Sequence, residues 1–307
     1  MNDVVLHAYI TFFWDAACIA SSEARLGQLA EVVWHLAQIP CAEVRLRIVT
    51  NAEPILLDGV AEPVRARTDA RSEVQVHKVS LSELDHPYDL TWSHKQVLAD
   101  DVSDSPDSSY FLYIEDDEVF TAANLRYFID NLDSALACDA IPSFHRCEWH
   151  PGLRRWVVVD AESPVPSLAS AAVNPSTTGA VLWVPMPNPY SGMFLLDKRL
   201  ACEYVASASF DRDASATRIH WEVRERAAMG LAFERVRKGR VSRTAVAFSA
   251  DTHVPLPGSA IRHLGDKYSN AGGSFGSIPL HGLEGAEDSG KPPRSGIASR
   301  MSRLLGR

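Results

Sequence analysis

The segment Tyr110-Phe-Leu-Tyr-Ile-Glu-Asp-Asp-Glu118 places four acids directly behind a short apolar run. Carboxylates packed this closely repel one another unless a cation or hydrogen bonds offset the charge. A divalent ion does so well, since Mg²⁺ and Mn²⁺ are usually held by one or two carboxylates together with substrate phosphate oxygens. The competing reading is an acidic helix start, because Asp and Glu favour the positive end of a following helix. Thr121 is itself a suitable cap for a helix beginning at Ala122, so capping does not require all four acids.

The surrounding elements decide where such a turn lies. Val4–Trp14, Val44–Thr50, Val74–Val79 and Tyr110–Ile114 read as strands, and Glu23–Ala37, Leu90–Val102 and Ala122–Leu136 as helices. In the first helix Leu26, Leu29, Ala30, Val33, Trp34 and Ala37 recur at helical spacing. Strands alternating with helices imply βαβ units and an α/β fold with a mainly parallel sheet. Ligands of open parallel sheets sit beyond the carboxyl ends of the strands. That rule marks Thr11–Trp14 (Thr11 and Phe12 among them), Asn51 and Glu115–Glu118 as one rim. Further on, Ala140–His150, Trp156–Asp160 and Ala180–Pro185 read as strands, and Phe194–Ala206 and Trp221–Phe233 as helices.

A strand running into Glu-Asp-Asp resembles the DxD signature of GT-A fold glycosyltransferases. Leu90-Thr-Trp-Ser-His94 with Tyr113-Ile-Glu-Asp-Asp117 is similar to pairings in uncharacterised bacterial GT-A-like proteins. The resemblance implies that Asp117 holds the metal and that Glu115 lies on the donor-sugar side, with Asp116 sharing either task. It further implies a His in the metal shell and a Lys on the diphosphate. Arg262-His263-Leu-Gly-Asp-Lys267 offers His263 and Lys267 for these tasks, similar in pattern though not in spacing to the family's closing motif. A neutral imidazole completes a metal shell, and an ammonium stabilises a departing diphosphate. By the same resemblance His94 and Lys95 face the donor, with Trp92 packed beneath. Tyr190, Gly192 and Trp221 belong to the sugar and acceptor pocket, the Gly allowing close backbone approach and Tyr190 offering a stacking face. Glu222, with Glu225 in reserve, stands where inverting members keep a general base, whose pKa partial desolvation would raise. The family's Glu-Asp pair is absent there, and a retaining mechanism needs no base at that position.

The expected activity is metal-dependent transfer of a sugar from a nucleoside diphosphate sugar, a UDP-sugar foremost, to a glycan, glycolipid or other hydroxyl acceptor, with Mn²⁺ or Mg²⁺ as cofactor. Polysaccharide biosynthesis is the corresponding setting. A phosphohydrolase or nucleotidyltransferase could use the same acidic turn, although His7–Ala17 lacks the glycines of a phosphate loop. A catalytically inactive glycan-binding protein is a third reading. No GxGxxG follows the first strand, which disfavours a dinucleotide-dependent oxidoreductase.

Bulk composition fits this picture. The 307 residues are 46% hydrophobic and 22% charged, enough for a normal core. A net charge of -9 without a clustered basic face argues against nucleic acid as the main partner. Five cysteines at spacings matching neither a zinc site nor a CxxC pair read as reduced thiols of a cytoplasmic protein. The chain divides into a nucleotide-sugar-binding half (1–139), an acceptor-binding half of the same domain (140–270) and a flexible tail (271–307). The tail carries eight of the 17 glycines, and Lys291, Arg294, Arg300, Arg303 and Arg307 lie in it without a neighbouring acid after residue 290. Ile297–Arg307 is a candidate basic amphipathic helix for peripheral contact with the inner face of a membrane.

Overall fold

The structure is a computed structural model, and the residues it describes are 1, 3–67, 72–160, 176–185, 188–270 and 278–280. In chain order the elements of the first half are β1 (Val5–Phe12), α1 (Ile19–Ala37), β2 (Glu43–Thr50), α2 (Asp58–Arg65), β3 (Glu73–Lys78), α3 (His94–Asp104), β4 (Ser109–Glu115), β5 (Glu118–Val119) and α4 (Ala122–Leu136). Then follow β6 (Ile141–Pro142), β7 (His145–His150), β8 (Arg155–Val158), β9 (Ser176–Thr178), β10 (Val181–Pro185), β11 (Met193–Asp197), α5 (Lys198–Val205), α6 (Arg212–Ala216) and α7 (Val223–Ala227). The last are β12 (Thr244–Ser249), β13 (Ala260–His263), α8 (Lys267–Asn270) and β14 (Ile278–Pro279).

The fold is α/β. Its central sheet has the order β11-β4-β1-β2-β3, with β3, β2, β1 and β4 parallel and β11 antiparallel at the edge. Every residue of β1 is buried, as expected for an inner parallel strand covered on both faces. The register sets Thr11 beside Glu115 and Phe12 beside Thr50, so the carboxyl ends of β1, β2 and β4 form one rim. Two smaller sheets, β6-β12-β10-β9 and β14-β8-β7-β13-β5, complete the body.

The two halves interlock in one hydrophobic core that extends from Val4 to Ile261. Strand β11 lies on the free edge of β4, and β13 pairs with β5. Phe194–Ala206 is therefore not one helix. Its start, Met193–Asp197, is a buried strand, because the apolar run Met-Phe-Leu-Leu fills the open edge of β4 before Asp197 caps α5. The helix expected over Leu90–Val102 begins at His94, after a 3-10 turn over Pro87–Trp92. That turn is set by Asp89 accepting the His86 backbone N–H and His86 accepting that of Tyr88. Over Trp221–Phe233 only Val223–Ala227 is helical, and Gly230 at φ 52° carries the chain away. Trp34 of α1 faces outward, while its neighbours Leu29, Val33 and Leu36 are buried.

Of the expected tail, Ile278–Pro279 pairs with β8 and Leu280 is buried. The basic stretch from Lys291, including the helix expected over Ile297–Arg307, lies outside the described residues. Among the described residues no helix is long and apolar enough to cross a membrane.

Candidate active site

Strand β4 ends at Glu115, Asp116 and Asp117 form a two-residue turn, and Glu118 opens β5. The acids are thus not the cap of α4. That task falls to Thr121, whose backbone N–H and hydroxyl both donate to Asn124 Oδ1, at 2.8 and 2.7 Å. The antiparallel pairing of β5 with β13 sets Glu118 opposite His263, and the Leu264 N–H donates to the Asp117 carbonyl at 2.7 Å.

This pairing brings together residues far apart in sequence. His263 Nε2 lies 3.3 Å from Asp117 Oδ2, and Lys267 Nζ lies 3.8 Å from the same oxygen. Gly265 sits between them: a Cβ there would come within 2.8 Å of the His263 ring, so the missing side chain lets the loop close over the imidazole. The Lys267 side chain is 69% exposed and retains the freedom to move toward a bound anion.

Each acid has a distinct environment. Asp116 forms an ion pair with Arg25 of α1 at 2.7 Å. Glu115 accepts the Tyr190 hydroxyl at 2.6 Å. Fully buried Glu118 faces Arg146 at 3.4 Å, and Arg146 also binds Asp160 through two nitrogens. Burial, and then the charge of Asp117, push Glu115 up to about 7. Burial pushes Asp116 up to about 6 against the pull of Arg25, and raises Glu118 against that of Arg146. Asp117 differs: although burial alone would raise it, His263 and Lys267 hold it down to about 2. His263 resists the effect of its own burial and rises to about 9, because carboxylates contact both ring nitrogens. Asp116, Asp117, Glu118, Glu148 and Asp160 thus share the cations Arg25, Arg146 and Lys267 and the ring of His263.

Among the described residues no three or more His, Cys, Asp or Glu side chains converge as a ready-made metal shell. What exists is a two-residue edge. Asp117 Oδ1 is buried with no hydrogen-bond partner among the described residues, and Oδ2 faces His263 Nε2. Such an edge fits an ion that takes one or two protein ligands and completes its shell with phosphate oxygens. It does not fit an all-protein cage.

Other expected positions are arranged differently. His94 and Lys95 are turned into the core. His94 stacks on Tyr113 at 4.1 Å, and Lys95 donates to the Ser209 carbonyl at 2.8 Å while its ammonium lies 3.7 Å from the centre of the Trp92 ring. At the rim, Phe12 is buried and the Thr11 hydroxyl is 2.9 Å from that of Tyr113. The Asn51 side chain exchanges two 2.8 Å hydrogen bonds with the Trp14 backbone, which ties down the loop after β1. These three residues shape the rim with side chains already engaged inside the protein.

Tyr190 and Trp221 stack at 6.1 Å, and the Arg146 guanidinium lies 4.8 Å from the Tyr190 ring centre, so Tyr190 is already stacked within the protein. Gly192, at φ 64°, is required by its neighbour: any Cβ would collide with the Glu118 carboxylate. Glu222 is not a desolvated base. Its side chain is 70% exposed, and Glu225 accepts its backbone N–H at 3.1 Å in a capping box that starts α7.

Four partners of the site were not singled out by the sequence: Arg25, Arg146, Glu148 and Asp160. Arg146 and Glu148 are two apart on β7 and share the face turned to the acids. Two opposite charges two apart in the buried first part of a strand are the signal that marks them. Glu148 accepts from His263 Nδ1 at 2.7 Å.

No family model matches the chain, and no curated protein matches it. Among solved structures it is similar to galactosyltransferase LgtC in complex with donor and acceptor sugar analogs, at 9% identity and a TM-score of 0.36, over 73% of this chain and 69% of that one. Mouse xyloside xylosyltransferase 1, in its apo form, is 14% identical with a TM-score of 0.36 over 74% and 79% of the two chains. The 4-diphosphocytidyl-2C-methyl-D-erythritol synthase of Anaerococcus prevotii is 13% identical with a TM-score of 0.33 over 82% and 90%. Likenesses at this distance transfer no activity.

Proposed function

We propose that the protein is a metal-dependent glycosyltransferase of the GT-A type that uses a nucleoside diphosphate sugar, a UDP-sugar foremost, and a hydroxyl acceptor. One observation carries the reading: Asp117, His263 and Lys267 meet at the carboxyl end of β4, with one Asp117 oxygen buried and without a partner among the described residues.

Asp117 and His263 are the residues that would hold Mn²⁺ or Mg²⁺, His263 giving up its Nε2 proton as the ion binds. When bound, the ion supplies Lewis-acid stabilisation to a departing diphosphate. Lys267 reaches the same side of the diphosphate with a mobile ammonium and adds to that stabilisation. Glu115, backed by the Tyr190 hydroxyl, accepts hydrogen bonds from the sugar. Arg25 and Arg146 hold Asp116 and Glu118 in place, which keeps the turn rigid. A rigid set of charges needs little reorganisation as the diphosphate leaves, and that is where electrostatic catalysis gains most. Glu222 has no role in the chemistry on this reading.

A thermal-shift screen of nucleotide-sugars with and without Mn²⁺ tests the proposal. A ligand that binds only the native state stabilises it by RT ln(1 + c/Kd) at free concentration c, so the shift grows with affinity and concentration. The reading expects a shift for a UDP-sugar that depends on the ion and is lost in Asp117→Asn. No shift for any nucleoside diphosphate sugar would overturn it.

A further inference from the structure

Glu148 is fully buried on β7, yet its carboxylate accepts from four donors. Oε1 takes His263 Nδ1 at 2.7 Å and the Lys267 backbone N–H at 3.1 Å. Oε2 takes the backbone N–H groups of Tyr268 at 3.0 Å and Ser269 at 2.7 Å. One side chain therefore binds both ends of the segment that carries His263 and Lys267. Because Nδ1 is engaged on Glu148, the opposite ring nitrogen points to Asp117. Because consecutive N–H groups of α8 converge on the same carboxylate, the turn through Gly265 is folded back over the ring, which sets the root of the Lys267 side chain beside the acidic turn.

We infer that Glu148 is the positioning residue of this site: it orients the His263 ring and anchors the Lys267–Asn270 turn, so that both groups face Asp117 before any ligand arrives. The inference rests on the proposed function for its consequence in metal affinity, but its structural part stands independently. Buried carboxylates that hold the far nitrogen of a ligating His typically change metal affinity 10- to 100-fold when replaced, an order-of-magnitude expectation.

The informative variant is Glu148→Gln, which keeps size and shape. The amide has a single oxygen, so its NH₂ group confronts one pair of donors that Glu148 now satisfies. Two readouts are taken on the full chain, with Glu148→Asp as a second variant that retains the charge should the amide variant fold poorly. Amide hydrogen exchange at Lys267, Tyr268 and Ser269 is expected to speed up at least about tenfold, with β1 and β4 unchanged. Mn²⁺ affinity, followed by electron paramagnetic resonance with UDP present, is expected to fall about 10- to 100-fold. Exchange at 267–269 equal to the wild type overturns the inference, as does unchanged Mn²⁺ affinity in a protein whose wild type binds the ion. If the wild type takes up no Mn²⁺, the proposed function fails and hydrogen exchange alone decides whether Glu148 anchors the turn.

Discussion

His263 stands directly opposite Glu118 in the β5–β13 pair, and this register delivers its imidazole to Asp117, more than a hundred residues earlier in the chain. A strand of two residues thereby joins the acidic turn to β13. The site exists because β5 and β13 pair in this register, since a slip by one residue would turn His263 to the opposite face.

Arg146 is the counter-charge that permits two buried acids. It lies against Glu118 at 3.4 Å and Asp160 through two nitrogens, and all three side chains are buried. Arg146→Ala leaves both carboxylates unpaired and is expected to lose about 3–5 kcal/mol of stability. Arg146→Lys should recover only part of it, because an ammonium lacks the planar fork that meets Asp160. Denaturant unfolding of the three proteins checks this.

Gly192→Ala is expected to cost about 2 kcal/mol or more, since it combines a left-handed backbone with overlap on Glu118. A midpoint equal to that of the wild type in urea unfolding would contradict the packing described here.

The two buried histidines His94 and His145 should each cost stability as the pH falls. Burial pushes His94 down to about 3 and His145 down to about 4, whereas the unfolded chain titrates near the ordinary value of about 6.5. Between these values the unfolded state binds more protons, so stability is complete above about pH 6.5 and is lost as pH falls toward the folded values. At pH 5 each histidine accounts for a loss of about 2 kcal/mol. The raised Glu115, Asp116 and His263 act in the opposite sense over the same range, so the share of His145 is read as the difference in unfolding free energy between the wild type and His145→Gln, which should shift against the wild type by about 2 kcal/mol between pH 7 and 5.

Glu222→Gln should change turnover by less than about twofold and stability by about 1 kcal/mol at most, as for an exposed helix cap. A loss of a hundredfold or more in kcat would restore Glu222 as the base and contradict its placement at the surface.

The legible part of this protein was its local chemistry and its alternation. The apolar run Tyr110–Ile114 ending in acids, and the β-rich run after Val4, pointed to a parallel sheet with a rim at Glu115, and β1 and β4 lie side by side with that rim. His263 and Lys267 were readable as residue types beside a glycine, but their approach to Asp117 depends on a β5–β13 pairing that no local pattern encodes. His94 and Lys95 misled because polar side chains at a helix start usually face solvent. Here the rings of Tyr113 and Trp92 and the Ser209 carbonyl receive them in the core. Glu222 misled for a related reason: a carboxylate at a helix start serves equally as a cap, and only exposure separates the two. Met193–Asp197 was hidden because a short apolar run has no period that distinguishes strand from helix, and the open edge of β4 decided it.

The central claim is that Asp117 holds a divalent ion together with a diphosphate. Titrating Mn²⁺ into the wild type and into Asp117→Asn, each with UDP present, tests it most directly. The account predicts uptake of an ion by the wild type and an affinity at least about tenfold weaker in the variant. No uptake by the wild type, or equal uptake by both, would contradict it.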